Sequence, residues 1–269
     1  MVRPVELGRT VSDRSLPVLG ALVVAGLLTG WVDAVVGGGG LIQLPALLLG
    51  LPDASPAAIL ATNKVGAVVG TTMSAATYVR RVPLEVRTVL PTALVAAAGS
   101  VLGALWSSHL SRATMTPIVV VMLIAVGTFV LLRPDLGSVH GPRHAPARRT
   151  LVAAGLGLLV GGYDGALGPG TGSFLVFGLV ALVGYGFLQA SATAKVVNVA
   201  TNLGALVVFL PHAVVVWPAA AALASGNLVG GYVGARTAVA RGNGFVRAVF
   251  VVVVTLFVIR LGGTVVGLW

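Results

Sequence analysis

The sequence has 269 residues, of which 57% are apolar and only 9% are charged, and its formal net charge is +10. Soluble domains carry about 25% charged residues because their surfaces face water, so this composition excludes an ordinary soluble protein. The chain contains no cysteine, which excludes disulfides, thiol chemistry and thiolate metal sites.

The positive net charge does not predict nucleic-acid binding. Most of the seventeen Lys and Arg residues lie in short loops between apolar runs or in the N-terminal tail. This distribution is typical of the positive-inside bias of membrane proteins. The tail resembles a signal peptide because Arg3, Arg9 and Arg14 precede an apolar run that begins at Leu16. That run is long and continues into a glycine-rich motif, so we interpret it as a first span that is retained.

Apolar runs divide the chain into candidate membrane segments. A run of roughly 20 residues crosses a hydrocarbon layer of about 30 Å. Eight runs are long enough: 16–36, 56–79, 88–107, 113–132, 151–168, 190–210, 213–235 and 245–268. Two shorter runs, 41–51 and 173–187, are predicted to be parts of broken helices. The predicted fold is therefore an all-α polytopic membrane protein with eight long transmembrane helices and two short broken-helix segments.

An internal similarity indicates that the chain consists of two repeats. A shift of 131 positions places Asp33 on Asp164 and Lys64 on Lys195. Chance explains matching glycines in such a sequence far more easily than it explains matching charges inside apolar runs. The sequence thus predicts four regions, namely an N-terminal tail (1–15), a first transmembrane repeat (16–132), a cytoplasmic linker (133–150) and a second transmembrane repeat (151–269).

The loop charges favour repeats of inverted orientation. The loop after the third run contains Arg80, Arg81 and Arg87, whereas the equivalent loop at 211–218 has no Lys or Arg. In the next pair of equivalent loops, the positive charge lies mainly in the loop of the second half. Equivalent loops that exchange their positive charge are expected on opposite sides of the membrane. We predict inverted repeats of five segments each with the N-terminus outside, although total Lys and Arg counts fit an eight-span arrangement nearly as well.

Two glycine clusters stand at equivalent positions of the repeats. The first contains Gly37, Gly38, Gly39 and Gly40, and the second contains Gly168, Gly170, Thr171, Gly172 and Ser173. Each glycine costs a helix about 1 kcal/mol relative to alanine, so both clusters are predicted to break a helix. Transporters use such breaks to direct backbone N–H groups at an anion. The alternative is close helix packing through small residues.

Two lysines lie deep inside apolar runs, where an unpaired ammonium group costs roughly 3 kcal/mol or more. We predict that Lys64 and Lys195 neutralise a bound anion, and the alternative is a salt bridge to Asp33 or Asp164. Asp33 and Asp164 are candidate proton carriers, with helix capping or lysine pairing as the alternative. Hydrogen-bonding side chains beside the lysines are predicted to face the same cavity: Thr62, Asn63, Asn198 and Asn202. The four histidines lack ligand spacing, so no metal site is predicted.

At these residues the sequence resembles the sulfite exporter TauE/SafE family of membrane permeases, also called the toluene sulfonate uptake permease family. The resemblance is carried by the stretches 30–45, 61–64 and 163–202, and it extends over about residues 16–268. It implies a duplicated architecture, although seven or eight spans are usually counted in this family. The two additional short crossings predicted here depart from that count.

The resemblance also implies a function, namely secondary transport of sulfur-containing anions such as sulfite, thiosulfate or organosulfonates across a bacterial inner membrane. The expected partners are a small anionic substrate and the lipid bilayer, with no nucleic acid and no cofactor, and a homodimer stays an open alternative. We expect no enzymatic activity. The competing hypotheses are a passive anion channel and an intramembrane aspartyl protease built on Asp33 and Asp164. The second motif expected of such a protease is missing from the sequence.

Overall fold

The computed structural model describes residues 15–107, 141, 143–212 and 214–266, and this part of the chain contains helices and no strands. The predicted all-α class is therefore confirmed. The described residues form eight α-helices: α1 (Ser15–Val36), α2 (Gly40–Gly50), α3 (Pro56–Val79), α4 (Val86–Ser107), α5 (Pro146–Ala166), α6 (Thr171–Gly178), α7 (Phe187–His212) and α8 (Trp217–Val266). A π-helical turn, Leu179–Val183, continues α6.

Several of these helices have the length and composition of membrane spans. By those two criteria, three described helices can cross a bilayer, at Leu16–Val36, Val86–Ser107 and Phe187–His212. Two shorter apolar helices lie at Gly40–Gly50 and Thr171–Val183, where the sequence predicted broken-helix segments. The predicted span 113–132 and most of the predicted linker lie outside the described residues. The total of eight long helices stays a prediction.

Local sequence signals explain where the helices begin and break. Pro56 occupies the first turn of α3, and the Ser55 side chain accepts a hydrogen bond from the N–H of Ala58. Pro146 likewise begins α5 inside the stretch predicted as linker, five residues before the apolar run at 151. The last helix is interrupted at Gly242, whose φ of 72° and ψ of −165° are not helical. This break separates the two apolar runs that the sequence predicted in this region.

The helix starts follow the 131-residue shift. The first four helices begin at Ser15, Gly40, Pro56 and Val86, and the next four begin 131 positions later, at Pro146, Thr171, Phe187 and Trp217. Helix packing follows the same correspondence, because α1 packs mainly on α8 and α4 mainly on α5. Each of these contacts joins a helix from one half to a helix from the other half.

The contacts also fix the directions in which the helices run. α1 and α3 run in the same direction, because Leu22 packs with Ile59 near their starts and the Tyr78 hydroxyl donates to the Ala34 carbonyl near their ends. α4 returns through the short loop 80–85.

α5 runs parallel to α4. The Arg149 side chain pairs with Glu85 beside the start of both helices. Further along, a β-carbon on Gly103 would lie only 1.9 Å from the carbonyl oxygen of Gly162, so the two backbones are in contact. α5 therefore runs opposite to α1, its counterpart in the 131-residue shift.

The two ends of the helix bundle differ in charge. At one end, the start of α7 and the Gly242 break meet the loop 80–85, because Gln189 donates to the Pro83 carbonyl and the Leu188 N–H donates to Asn243. We call this end the arginine-rich face. It carries Arg80, Arg81, Arg87, Arg143, Arg148, Arg149, Arg236, Arg241 and Arg247. The loops 51–55 and 214–216 lie at the opposite, arginine-poor face and contain no Lys or Arg.

Candidate functional site

The two glycine clusters meet inside the molecule, where both helices are broken. Gly37 and Gly168 have φ values of 82° and 90°, a region that L-residues with side chains rarely adopt. The Ser173 N–H donates to the Gly37 carbonyl over 3.1 Å. A β-carbon on Gly172 would lie 2.4 Å from the Cα of Gly37, so only glycine permits this approach. The predicted helix breaks are confirmed, and they lie in direct contact with one another.

This contact brings the starts of two short helices together. α2 begins at Gly40 and α6 at Thr171, and a β-carbon on Gly40 would lie 3.3 Å from the Cα of Pro169. The first N–H groups of a helix have no partner within it, and they carry a partial positive charge. Two such ends therefore meet beside the cavity described next.

A cavity of about 450 Å³, open space at its mouth included, lies between the two halves. Its walls combine the helix breaks with polar side chains from both halves. The lining residues are Thr29, Asp33, Gly37, Gly40, Gln43, Asn63, Lys64, Ala67 and Thr71 from the first half and Asp164, Gly168, Thr171, Gly172, Asn198, Asn202 and Asn227 from the second. This polar lining contrasts with the apolar surface of the surrounding helices.

The two buried lysines form ion pairs that cross between the halves. Lys64 lies 2.8 Å from Asp164, and Lys195 lies 2.8 Å from Asp33. The Lys64 and Asp164 side chains are 2% and 5% exposed, and those of Lys195 and Asp33 are 0% and 15% exposed. Each ammonium group is thus neutralised by the carboxylate of the opposite half. The salt-bridge alternative from the sequence is therefore the arrangement present in this structure.

Only one carboxylate oxygen of Asp164 has hydrogen-bond partners among the described residues. Its Oδ1 accepts from Lys64 and lies 2.8 Å from the Thr171 hydroxyl, which is also 2.7 Å from the Gly168 carbonyl. The second oxygen, Oδ2, is buried and has no hydrogen-bond partner among the described protein groups. Buried side-chain oxygens of Thr29, Asn63 and Asn198 are in the same situation. Buried polar atoms without partners are costly, so this cavity is suited to a polar occupant.

A pair of amide side chains forms one wall of the cavity. Asn227 Nδ2 donates to Gln43 Oε1 over 2.8 Å and to the Gly66 carbonyl over 3.3 Å. Gln43 Nε2 in turn donates to the Asn63 carbonyl over 2.9 Å. Both side chains are almost completely buried, at 1% and 2% residue exposure. We call Gln43 and Asn227 the amide pair.

Most residues predicted from the sequence line the cavity. These are Asp33, Gly37, Gly40, Asn63, Lys64, Asp164, Gly168, Thr171, Gly172, Asn198 and Asn202. The others lie outside its lining: Gly38, Gly39, Thr62, Gly170, Ser173 and Lys195. Thr62 accepts from the Val216 N–H and Ser173 donates to the Val36 carbonyl, so both hydroxyls link chain segments. Gly39 leaves room for Thr29 and Asp33.

The sequence analysis did not identify five of the lining residues: Thr29, Gln43, Ala67, Thr71 and Asn227. Gln43 and Asn227 carried a signal, because each is an isolated amide in an apolar run. Ala67 carried none, since alanine is common throughout such runs.

Comparison with known proteins identifies relatives over nearly the whole chain. The family model described as Sulfite exporter TauE/SafE matches residues 22–261. A probable membrane transporter protein, ORF9, from Sinorhizobium sp. is 36% identical over 252 residues, which cover 93% of this chain and 95% of the relative. The probable membrane transporter protein YfcA of Escherichia coli strain K12 is 32% identical over 87% of this chain and 86% of its own length. No solved structure matches the chain.

Proposed function

Because the chain belongs to the sulfite exporter TauE/SafE family, we propose that this membrane transporter is a secondary permease for a small anion. The proposed cargo is sulfite, another sulfur-containing oxyanion or an organosulfonate, and the proposed location is the bacterial inner membrane. One observation carries the proposal. The Lys64–Asp164 pair lines a polar cavity at the meeting point of two helix N-termini.

The proposed architecture is a pair of inverted repeats with ten membrane segments. Three observations support it: the helix starts agree with the 131-residue shift, α5 runs opposite to α1, and nine of the ten described arginines lie at one face. By the positive-inside rule, the arginine-rich face is cytoplasmic and the N-terminus is outside. Inverted repeats are common in secondary transporters, whose cargo sites lie at the repeat interface.

Cysteine labelling tests this topology, and the natural chain has no cysteine to interfere. A cysteine at Arg241 is expected to react with a membrane-impermeant maleimide only when the reagent reaches the cytoplasmic face. A cysteine at Asp53, in the loop 51–55 of the opposite face, is the matched control and should react from outside. Labelling of both positions from the same side would contradict the inverted arrangement.

In the proposed mechanism, the anion takes the place of the Asp164 carboxylate beside Lys64. The ammonium group is buried, so an exchange of partners costs much less free energy than the loss of a partner. Most backbone N–H groups at the starts of α2 and α6 donate to nearby carbonyls, but those of Gly40 and Gly172 have no assigned acceptor among the described residues. Both glycines line the cavity, and their N–H groups are proposed to bind the remaining oxygens of the anion. Asn63, Asn198 and Asn202 add amide groups to the same site.

A proton balances the charge of this exchange. Lys64 and Asp164 together are neutral, so an anion that enters the cavity leaves a net negative charge in a buried site. For an anion of single charge, a proton on Asp164 Oδ2, the oxygen without a partner, restores neutrality and frees Lys64 for the anion. We therefore propose that one proton accompanies each singly charged anion at this pair. Asp33 and Lys195 are proposed to act in the same way when the opposite half of the site opens.

The paired state of both carboxylates weakens the protease alternative. A catalytic dyad requires two carboxyl groups that share one proton. Here Asp33 and Asp164 each lie 2.8 Å from a lysine ammonium group.

Counterflow in proteoliposomes tests the proposed function and separates a carrier from a passive channel. Vesicles loaded with unlabelled sulfite are expected to accumulate labelled sulfite transiently, because a carrier trades one molecule for another. An inward proton gradient should increase net uptake. Thiosulfate and ethanesulfonate, tested in parallel, extend the measurement to the proposed cargo class. Labelled anion that only equilibrates, without transient accumulation, would contradict a carrier. Vesicles that take up none of the three labelled anions would contradict anion transport.

A further inference from the structure

The amide pair is present on only one side of the crossed ion pairs. The 131-residue shift places Gln43 on Phe174 and Asn227 on Ala96. It also places two other polar lining residues, Thr29 and Asn63, on Val160 and Ala194. All four counterparts are buried members of the main hydrophobic cluster. The two halves therefore share the lysines, the aspartates and the glycine breaks, but they do not share these polar side chains.

The amide pair lies on the side of Asp33 nearer the arginine-poor face. β-carbons on Gly26 and Gly30 of α1 would both touch Asn227, and these glycines precede Asp33 on a helix that starts at that face. α2 carries Gln43 from the helix breaks toward the same face, because Gly50 at its end packs against Val18. The apolar counterparts occupy the side nearer the arginine-rich face.

The hydrogen bonds of the pair leave one donor free. Asn227 Nδ2 has two hydrogens, and both are directed at protein acceptors, namely Gln43 Oε1 and the Gly66 carbonyl. Because Gln43 Oε1 accepts from Asn227, the orientation of the Gln43 amide is fixed. Gln43 Nε2 then has two hydrogens and one assigned acceptor, the Asn63 carbonyl. Its second N–H is available to the cavity that Gln43 lines.

We propose that Gln43 is a cargo-binding residue held in orientation by Asn227, and that this amide pair gives the site a higher affinity for the anion when it opens to the arginine-poor face than when it opens to the arginine-rich face. The inference rests on the proposed anion transport. When the site opens to the arginine-poor face, an oxygen of the anion accepts a hydrogen bond from the Gln43 N–H. On the other side, Phe174 and Ala96 stand at the equivalent positions and offer no side-chain donor. The cargo is thus an anion whose oxygens accept hydrogen bonds.

Sided transport kinetics test this inference. Labelled sulfite, thiosulfate and ethanesulfonate are exchanged into right-side-out and inside-out membrane vesicles at equal pH on both sides, with empty-vector vesicles as background. The half-saturating concentration of the exchanged anion is expected to be roughly tenfold lower at the arginine-poor face, as the loss of one hydrogen bond to a charged group predicts. Gln43→Met should raise the value at that face roughly tenfold and leave the other face within about twofold.

Asn227→Ala should raise the same half-saturating concentration by a smaller factor, because it frees the Gln43 amide to rotate. Gln189→Ala removes an amide that bonds to the Pro83 carbonyl outside the cavity, and it is expected to change neither face. Equal half-saturation at the two faces of the wild type would overturn this inference while leaving anion transport intact. An equal increase of the half-saturating concentration at both faces in Gln43→Met would also overturn this inference and leave anion transport intact. Absence of exchange with all three anions would overturn the proposed function, and the inference with it.

Discussion

Replacement of Lys64 by methionine is expected to abolish counterflow of labelled sulfite, with a loss of at least about 100-fold. Two physical effects act together. The cavity loses its lining ammonium group, and Asp164 becomes a buried carboxylate without its cation, which repels an entering anion. A stranded buried charge costs about 3–5 kcal/mol, so the variant is also expected to melt at a lower temperature than the wild type. Counterflow and thermal melting of the same preparation measure both effects.

The double variant Lys64→Met/Asp164→Asn separates binding from folding. It removes both charges of the pair, so its melting temperature is expected to return toward that of the wild type while counterflow stays absent. Glu85→Gln/Arg149→Met is the matched control, because it removes an ion pair of 2.9 Å at the arginine-rich face, outside the cavity. That control should retain transport. Normal counterflow in Lys64→Met/Asp164→Asn would show that Lys64 has only a structural role.

The helices could be predicted from the sequence because their signals are local. Apolar runs locate α3 and α5, and the predicted breaks at Gly37 and Gly168 coincide with positive φ values. The exact start of α5 could not be predicted. The stretch 133–150 was predicted as a linker, but Arg149 lies within α5 and pairs with Glu85, a residue 64 positions away.

The pairing of the charges could not be predicted. The internal similarity identified Asp33, Lys64, Asp164 and Lys195 as equivalent sets, and pairing within each half would satisfy that similarity as well as crossed pairing does. Only the tertiary arrangement distinguishes the two, because it places Asp164 of α5 within reach of Lys64 of α3 and Asp33 of α1 within reach of Lys195 of α7. The sequence therefore predicted the groups of the site, and the fold determined their partners.

Within the glycine clusters, the sequence also could not show which glycines face the cavity. Gly40 lines the cavity, whereas its neighbour Gly39 packs against Thr29 and Asp33. Adjacent residues of a helix start point in different directions, so a run of glycines does not reveal which of them faces a ligand. The isolated amides Gln43 and Asn227 are a sharper signal, since a buried amide in an apolar run must find hydrogen-bond partners.

The crossed assignment of the ion pairs predicts a large difference between two double variants that share one mutation. Lys64→Met/Asp164→Asn removes a complete pair. Lys64→Met/Asp33→Asn removes one member from each pair, and it strands Asp164 and Lys195 as buried charges without partners. Each stranded charge costs about 3–5 kcal/mol, so the second variant is expected to melt far below the first or to fail to accumulate. The measurement is thermal melting of both proteins in the same detergent.

A mirror-image comparison makes the result independent of Lys64 itself. Lys195→Met/Asp33→Asn should be nearly as stable as the wild type, and Lys195→Met/Asp164→Asn should be as unstable as the other mismatched variant. If mismatched and matched variants melted together, the stranded lysine and aspartate would have to pair with each other across the cavity. The two ion pairs would then be interchangeable, and a fixed crossed pairing could not supply the binding step in which the anion replaces Asp164 beside Lys64.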